Sequence, residues 1–416
     1  MIIKRNLSNG IELIMEKVPY VRSVSIGIWV RAGSVNEDEN NNGISHFIEH
    51  MLFKGTEKRT AKDIAGDIDK IGGQINAFTG KESTCYYVKV LDTHVEDGVE
   101  ILLDMLLNSK FDEKEMLKEK AVVYEEINMY EDSPEDTVHD LLSEIVFDGH
   151  PLSRSIIGNR ETIQSFDRDM IMSFMNENYS LDNIIVSAAG NIDEEQIINI
   201  LESSMFPFIR RDRISYDKPS AYRPKIRIKK KDIEQAHLCM GIKGIPMDDK
   251  MHYPLSILSN IMGGSMSSRL FQKIREEKGL AYSVYSYATS YVTNGIFAVY
   301  AGVNPRQLSE ASRFMIEQIN LLREKGVTEE ELNTAKEQLK GNYILNLESI
   351  SGRMASVGKS QLLLNKVYTP DQVIGFINKV NMEDMNKVIE LVTDINAYSA
   401  ALVSREEVDM IKLMKV

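Results

Sequence analysis

The hydrophobic and polar positions of the chain follow two periods, and the changes between them divide the first half into strands and helices. Alternation with a period of two predicts strands, whereas apolar positions three to four residues apart predict helices with one buried face. The predicted strands are 11–17, 22–32, 74–79, 84–91 and 183–189. The predicted helices are 94–107, 112–130, 134–147, 167–178 and 193–203, with one more around residue 46. This order predicts a sheet backed by helices.

The same order of elements returns after residues 207–224, a segment with three prolines and little periodicity that we interpret as a linker. The chain is longer than a single core usually supports. We therefore predict an α+β fold with two homologous domains, 1–206 and 225–416, each a mostly antiparallel sheet backed by helices. The elements predicted in the second half are strands at 225–230 and 236–243, a helix at 252–262, a strand pair within 281–303, and helices at 307–324 and 328–347.

A polar motif interrupts the apolar helical run between Gly43 and Thr56. It reads His46-Phe-Ile-Glu49-His50. At roughly 100° per residue, positions 46 and 50 project from one helix face and position 49 lies on its flank. Two imidazoles can therefore share a metal ion with a carboxylate beside them, in the reversed order of the H-E-x-x-H motif. The motif predicts a metal-dependent hydrolase that needs a third protein ligand from another part of the chain.

The charged helix predicted at 112–130 offers two candidates for that ligand. Glu119 and Glu126 are seven residues apart, which is close to two helical turns, so both carboxylates face the same way. One of them can bind a metal ion while the other supports the site through a hydrogen bond. Both can equally belong to a solvated helix face. Spacing alone leaves these interpretations open.

Taken together, the motifs resemble the pitrilysin/insulinase family of inverzincin zinc metallopeptidases, especially its branch with the mitochondrial processing peptidase beta subunit and bacterial homologues. The resemblance extends nearly from end to end. In that family the two histidines of H-x-x-E-H and a distant glutamate bind one zinc ion. The resemblance implies His46, His50 and Glu126, 76 residues after His50, as the zinc ligands. The family's additional glutamate on the same helix corresponds to Glu119, which would support the ligands from behind.

A second matching segment is Gly72-Gly-Gln-Ile-Asn-Ala-Phe-Thr79. In the family this is an edge strand that holds an extended substrate by backbone pairing. The resemblance therefore implies substrate contacts at Gly73, Asn76, Ala77 and Phe78.

Two segments of the second half also match the family. They are Gly263-Gly-Ser-Met-Ser-Ser-Arg-Leu-Phe271 and Arg275-Glu-Glu-Lys-Gly-Leu-Ala-Tyr282. In the family an arginine and a tyrosine seven residues apart complete the active site. The resemblance implies that Arg275 and Tyr282 are catalytic residues, which hold the substrate backbone and stabilise the oxyanion of the tetrahedral intermediate.

The resemblance also implies a particular assembly. Two halves of this size close into a clamshell-like chamber in the family, and the arginine and tyrosine come from the half opposite the zinc. A lone chain of 416 residues is therefore expected to form a homodimer with active sites completed in trans. The second repeat offers Leu255, Leu258 and Ser259 where the first has its motif, so we expect one zinc ion per chain.

Composition excludes some classes of function. A net charge of −13 argues against nucleic acid as a partner, because phosphate binding needs a basic surface. No stretch approaches the roughly 18 apolar residues of a membrane span, and the N-terminus lacks a signal or transit pattern, so we expect a cytoplasmic protein that does not bind membranes. Cys85 and Cys239 lack cysteine partners nearby and are predicted to be buried small side chains.

The combined prediction is a zinc-dependent endopeptidase that hydrolyses unfolded peptides or presequence-like oligopeptides, with a zinc-activated water and Glu49 as general base. The alternative is a noncatalytic peptide-binding or assembly subunit of the same fold. Members of that kind typically have broken motifs, whereas here the motif is intact. Hydrolysis of a non-peptide amide is a third possibility, which the peptide-pairing strand disfavours. The remaining histidines are predicted to lie outside the site, namely His94, His139, His150, His237 and His252.

Overall fold

A computed structural model describes residues 2–204, 208–216, 222–406 and 408–410. They divide into two compact units, each with one sheet. The described residues of Met1–Ile127, Arg154–Ser215 and Ile344–Thr369 form unit 1, and those of Asn128–Ser153, Tyr216–Tyr343 and Pro370–Val416 form unit 2. Each unit therefore includes residues from both halves of the sequence, unlike the contiguous division at 207–224.

The sheet of unit 1 has six strands in the order β1-β2-β6-β3-β5-β4. Only β2 and β6 run parallel; all other neighbours are antiparallel. The central strands β3 and β6 are buried along almost their whole length, whereas β4 at the edge alternates between exposed and half-buried residues. The strands are β1 (Ile2–Asn6), β2 (Glu12–Lys17), β3 (Ser23–Val30), β4 (Gln74–Thr79), β5 (Thr84–Leu91) and β6 (Ile184–Gly190).

Helices pack on both faces of this sheet. On one face, alternate apolar residues of β3 join the main core with residues of α1 and α3. On the other face, Trp29 and Ser187 meet α12 (Ile350–Leu364), whose Gly358 lies so close that an added Cβ would be 2.2 Å from the Trp29 indole nitrogen. In chain order, the α-helices up to residue 203 are α1 (Ile44–Leu52), α2 (Ala61–Lys70), α3 (Val95–Asn108), α4 (Glu113–Asp132), α5 (Pro134–Val146), α6 (Arg160–Ser165), α7 (Arg168–Asn178) and α8 (Glu194–Ser203). Of these, α5 belongs to unit 2.

The sheet of unit 2 has five strands in the order β7-β11-β8-β10-β9, of which only β7 and β11 are parallel neighbours. The strands are β7 (Ile226–Lys230), β8 (Ala236–Lys243), β9 (Ala281–Ser290), β10 (Gly295–Val303) and β11 (Ser399–Ser404). The remaining helices are α9 (His252–Gly263), α10 (Leu308–Lys325), α11 (Glu329–Asn346), α12 (Ile350–Leu364), α13 (Pro370–Lys379) and α14 (Met382–Val392).

Helix α5, from the first half of the sequence, covers the second face of this sheet. It packs against β8 and β11. The contact includes a polar network: His139 of α5 lies 2.9 Å from the Tyr287 hydroxyl and 2.8 Å from the Tyr285 hydroxyl. Tyr285 in turn donates to the Glu135 carboxylate at 2.7 Å. The Cys239 thiol lies 3.5 Å from His139 Nδ1 in the same network.

Most of the predicted elements are confirmed, with ends displaced by one or two residues. The α+β fold with two mostly antiparallel sheets is also confirmed. The elements that the sequence pattern did not predict are β1, α2, α6, α12, α13, α14 and β11. In the predicted linker, residues 207 and 217–221 lie outside the described residues, and its described residues contain neither helix nor strand. No helix in the described ranges is sufficiently long and apolar to span a bilayer. Both cysteines are free and buried, as predicted.

Candidate metal centre

Helix α1 is positioned by a buried carboxylate at its N-terminus. Glu37 accepts hydrogen bonds from the backbone N–H groups of Gly43 (2.7 Å) and Ser45 (2.9 Å) and from the Asn42 amide (2.9 Å). A negative charge at this end is favoured by the unpaired N–H groups and by the helix dipole. Gly43 has a φ of 94°, and a Cβ there would be 2.7 Å from the backbone of Gly158. The start of α1 therefore requires glycine at this position and an acceptor at residue 37.

The helix buries its apolar face and leaves the motif at the edge of the core. Phe47, Ile48 and Met51 are buried in the main core of unit 1. His46 is 8% exposed, while Glu49 and His50 are half-buried. Because His46 and His50 are one turn apart, their rings lie 4.6 Å from each other.

Helix α4 brings a third ligand atom to these imidazoles. Glu126 Oε1 lies 3.6 Å from His46 Nε2, and Glu126 Oε2 lies 3.4 Å from His50 Nε2. All three donor groups lie within 4.8 Å of one another. Zinc bonds of about 2.1 Å in a tetrahedron imply ligand atoms about 3.4 Å apart. The distances from Glu126 to the two imidazole nitrogens are therefore close to the ligand spacing around one tetrahedral zinc ion.

Glu119, one layer behind Glu126 on α4, contacts the outer nitrogen of His50. Its Oε1 lies 2.8 Å from His50 Nδ1, and its Oε2 lies 2.6 Å from the Lys54 ammonium. Burial acts to raise the pKa of Glu119, but the hydrogen bonds from His50 and Lys54 outweigh it, and the net pKa is lowered. An ionised carboxylate only accepts, so His50 carries its proton on Nδ1. In the neutral imidazole, which a metal ion requires, the lone pair is thus on Nε2, the nitrogen that faces Glu126.

The two imidazoles differ in their electrostatics. Burial, followed by the charge of His50, lowers the pKa of His46 to about 4. Burial also acts to lower the pKa of His50, but its hydrogen bonds to Glu119 and Glu126 outweigh it and raise the pKa to about 9. The hydrogen bond from His50 is also the main reason why the pKa of Glu126 is lowered. The metal-free cluster therefore holds a proton on His50 near neutral pH, and a bound cation would take the place of that charge.

Glu49 lies beside the three ligand atoms and outside their set. Its Oε2 accepts a hydrogen bond from the Thr79 hydroxyl at 2.5 Å. Burial raises the pKa of Glu49, and the hydrogen bond from Thr79 opposes this effect. A carboxylate with a raised pKa near a metal site is suited to accept a proton and return it.

Comparison with family models identifies both halves of the chain. Residues 12–160 match the model described as "Insulinase (Peptidase family M16)", and residues 165–339 match "Peptidase M16 inactive domain". The chain belongs to the insulinase family. Within the region assigned to the second insulinase model, α9 carries no histidine motif, in agreement with the word "inactive" in its description.

Relatives with similar sequences cover almost the whole chain. The "Uncharacterized zinc protease YmxG" of Bacillus subtilis is 45% identical over 405 residues, which is 97% of this chain and 98% of the relative. The "Uncharacterized zinc protease SCO5738" of Streptomyces coelicolor is 35% identical over 404 residues, 92% and 86% of the respective chains. Both insulinase-family relatives are thus named as zinc proteases.

Solved structures share the fold. A protease from Helicobacter pylori matches with a TM-score of 0.89 and 22% identity, covering 97% of this chain and 99% of that one. A peptidase M16 inactive domain from Pseudomonas fluorescens also has a TM-score of 0.89, with 16% identity and 98% coverage of both chains. At these identities the likeness shows the insulinase fold alone.

The segment that resembles the substrate strand of the insulinase family is β4, the edge strand of the first sheet. Asn76 and Phe78 are exposed on it, Ala77 is half-buried, and Gly73 immediately precedes it. Phe78 is 42% exposed, and its ring lies edge-on to Trp29 with centroids 5.5 Å apart. The last residue of the strand is Thr79, so β4 ends at the carboxylate of Glu49.

Arg275 and Tyr282 belong to unit 2 and contact each other. Arg275 lies in a π-helical turn, Phe271–Glu277, and Tyr282 lies at the start of β9. Arg275 Nη1 donates to the Tyr282 carbonyl at 2.8 Å, and the guanidinium lies 4.7 Å from the centre of the Tyr282 ring. The Tyr282 side chain is 79% exposed. The pair therefore forms a fixed cationic and hydroxyl-bearing surface within its own unit.

Sequence reasoning did not assign roles to three residues that contact the motif helix. They are Glu37, Lys54 and Thr79. Thr79 is the last residue of the Gly72–Thr79 segment, which the resemblance had already identified, so its place in that segment was a usable signal. Glu37 and Lys54 carried no such signal, because their contacts depend on where the chain folds back. The five other histidines do not belong to the group of potential metal ligands found among the described residues.

Proposed function

We propose that this protein is a zinc-dependent endopeptidase that hydrolyses unfolded peptides or presequence-like oligopeptides. The observation that carries the proposal is the convergence of His46, His50 and Glu126 on one point, with Glu49 adjacent to it. One zinc ion per chain is expected, because Leu255, Leu258 and Ser259 occupy the corresponding positions and the part of the chain that the structure describes holds no second group of potential ligands. The proposed location is the cytoplasm, and we expect neither nucleic acid nor membrane among the partners.

The three ligand residues would hold the ion through His46 Nε2, His50 Nε2 and a carboxylate oxygen of Glu126. An ion held in this way would be a Lewis acid, which would lower the pKa of bound water toward about 7 and polarise a carbonyl. Glu119 keeps the His50 ring in the tautomer that leaves Nε2 free. Manganese and cobalt also accept nitrogen and oxygen ligands of this kind, so the preference for zinc rests on the tetrahedral spacing and on the names of the relatives.

Glu49 is proposed to be the general base and afterwards the general acid. Its raised pKa allows it to accept a proton from water and to return that proton to the leaving amine. Thr79 donates to Oε2 and so leaves the other carboxylate oxygen, Oε1, to receive the proton. General base catalysis of this kind contributes on the order of a hundredfold to ten-thousandfold in rate.

Edge strand β4 is proposed to bind the substrate as an additional strand. Its outer backbone edge has no neighbouring strand in the sheet of the described residues. Main-chain pairing gives affinity with little sequence selectivity, and an extended backbone is required for it. The proposed contacts of Gly73, Asn76, Ala77 and Phe78 thus favour unfolded peptides over folded proteins.

Arg275 and Tyr282 are proposed to complete the active site in trans, within a homodimer that encloses the substrate in a clamshell-like chamber. Exposure of Tyr282 and its contact with Arg275 make the pair available to another subunit. Their donors would stabilise the oxyanion of the tetrahedral intermediate and bind the peptide backbone. A mixture of inactive Glu49→Gln chains with inactive Tyr282→Phe chains should then regain activity through mixed dimers. A verified mixed dimer without activity would contradict assembly in trans.

The decisive experiment for the proposed function combines metal analysis with peptide cleavage. The purified wild-type chain should contain about one zinc per chain and cleave a quenched peptide library, and a chelator should abolish the cleavage. Glu49→Gln should retain the zinc and lose roughly a hundredfold or more of the activity. Zinc content without cleavage in the wild type would favour the noncatalytic peptide-binding alternative, and absence of zinc would reject the metal centre.

A further inference from the structure

Lys54 lies in the turn immediately after α1, four residues beyond His50. Its backbone N–H donates to the Met51 carbonyl at 3.0 Å. Two residues later, the Thr56 hydroxyl donates to the buried Asp104 carboxylate at 2.7 Å. The backbone of Lys54 is therefore held by the end of α1 on one side and by α3 on the other. Its side chain projects from a fixed point.

From this point the Lys54 ammonium reaches the carboxylate oxygen of Glu119 that faces away from His50. The distances are 2.6 Å from Lys54 Nζ to Glu119 Oε2 and 2.8 Å from Glu119 Oε1 to His50 Nδ1. The Glu119 side chain is only 4% exposed, so water has little access to either oxygen. Two charge-assisted contacts at opposite oxygens fix the plane of a carboxylate, which one contact would leave free to rotate.

The two imidazole ligands are not supported equally. His50 Nδ1 has Glu119 as its acceptor, whereas His46 Nδ1 is buried and has no hydrogen-bond partner among the described residues. A metal-binding imidazole is normally oriented by an acceptor at its other ring nitrogen. Among the described residues, only the His50 ring has such an acceptor, and that acceptor is the Glu119 carboxylate.

We propose that Lys54 is a positioning residue of the metal centre, which acts on His50 by holding Glu119 in place. The inference rests on the proposed function, because it concerns the affinity of the same centre for zinc. Lys54 does not touch the ion or the substrate. Its contribution is the orientation of the His50 imidazole. Substitution of Lys54 should therefore change the binding and release of zinc first, and peptide cleavage only as a consequence.

A double-mutant cycle in zinc affinity tests this proposal, with affinity measured by competition with a chromophoric chelator. Lys54→Met should weaken zinc binding about tenfold, within the roughly 10–100-fold range typical of such supporting residues, and should accelerate zinc release. Lys54→Arg should restore most of the affinity, because it can also donate to Glu119. In a Glu119→Gln background, Lys54→Met should have almost no further effect, since its route to His50 is already removed.

Lys58 provides a matched control four residues further along the chain. Its side chain is 65% exposed and lies 3.6 Å from Glu100 at the surface, so Lys58→Met removes an equal charge without touching Glu119. Its zinc affinity should equal that of the wild type. Circular dichroism identifies variants that fail to fold, and Lys54→Gln replaces Lys54→Met if that variant does so.

Two results would overturn the role of Lys54 while leaving the proposed function intact. One is a wild-type protein that binds zinc and a folded Lys54→Met protein that binds it within twofold as tightly. The other is an effect of Lys54→Met that is equally large with and without Glu119→Gln, which would show a general electrostatic or structural contribution. A wild-type protein that binds no zinc would instead reject the metal centre itself.

Discussion

Helix α1 of unit 1 and helix α9 of unit 2 hold equivalent places in the order of elements, but they differ in the residues at corresponding positions. Each packs against the edge strand of its sheet, α1 against β4 and α9 against β9. In α1 the positions that leave the core carry His46, Glu49 and His50. At the equivalent positions of α9, Leu255, Leu258 and Ser259 are all buried, with at most 7% exposure. The same order of elements thus carries potential metal ligands in one unit and a packed apolar helix in the other.

The long helices show the same difference. With Phe111 aligned to Val327, Glu119 corresponds to Ala335 and Glu126 corresponds to Asn342. Ala335 is buried in the core of unit 2, where a carboxylate would lack compensation. Loss of the histidines in the second unit is therefore matched by loss of both carboxylates. This comparison shows that the group of potential metal ligands requires two helix faces together, and that the second unit repeats the order of elements without these ligand residues.

Substitution of a metal ligand should give the largest effect and tests the difference between α1 and α9 directly. His50→Ala removes one of three ligands, so zinc affinity should fall by more than the roughly 10–100-fold cost of losing a supporting residue. The equivalent change in unit 2, Ser259→Ala, should leave zinc content and affinity unchanged. Metal analysis after dialysis measures both. Equal zinc loss in the two variants would break the comparison.

Matched substitutions on the edge strands β4 and β9 provide a second test, with a smaller expected effect. Thr79→Val removes the hydroxyl that stabilises ionised Glu49, so the pKa of Glu49 should rise further. The acidic limb of the kcat/KM profile should move about 1–2 pH units upward, since a hydrogen bond to a charged group is worth roughly 1.5–3 kcal/mol. Activity should fall most at low pH and recover toward high pH. The same change on the edge strand of unit 2, Thr289→Val, should leave the profile in place.

Glycines in the neighbouring helices α12 and α11, Gly358 of unit 1 and Gly341 of unit 2, provide a further comparison. Alanine within a helix is normally up to about 1 kcal/mol more stable than glycine. At Gly358 of α12, however, a Cβ would be 2.6 Å from Ser187 Oγ and still closer to Trp29, so Gly358→Ala should destabilise unit 1 by about 1–3 kcal/mol. Gly341 of α11 has no atom in reach of an added Cβ, and Gly341→Ala should be stabilising. Chemical denaturation measures both changes.

The smallest expected effect is a pH dependence of stability, which arises from buried histidines of unit 2. Burial lowers the pKa of His139, His237 and His252 in the folded chain. The unfolded chain therefore binds more protons below about pH 6.5, and the free energy of unfolding should decrease as the pH falls through that value. His252→Asn should reduce this slope. His94→Gln, at a position whose side chain is 39% exposed, should not. Denaturant titrations between pH 7.5 and 5.5 measure this slope. An unchanged slope in His252→Asn would contradict the prediction.

Much of the fold was predictable because local periodicity is strong in its central segments. β5, β8 and α11 lie at or within two residues of their predicted ends. The assignment of helices to units was not predictable, because α5 and α12 bury their faces against sheets formed by distant parts of the chain. The polar face of α5 illustrates the reason: Glu135 and His139 resemble a solvated surface until Tyr285 and Tyr287 are placed opposite them.

The sequence by itself determined the family, the α+β class and the residues with metal-binding chemistry, because each of these depends on residue type at short or fixed spacing. Only the tertiary structure decided that Glu126 lies beside the imidazoles and that Thr79 contacts Glu49. It also decided that Lys54 contacts Glu119 and that Glu37 accepts hydrogen bonds at the N-terminus of α1. These contacts join segments that are far apart in the chain or separated by a turn. Their geometry is decided by the packing of α1 between α4 and the edge strand, which no local pattern encodes.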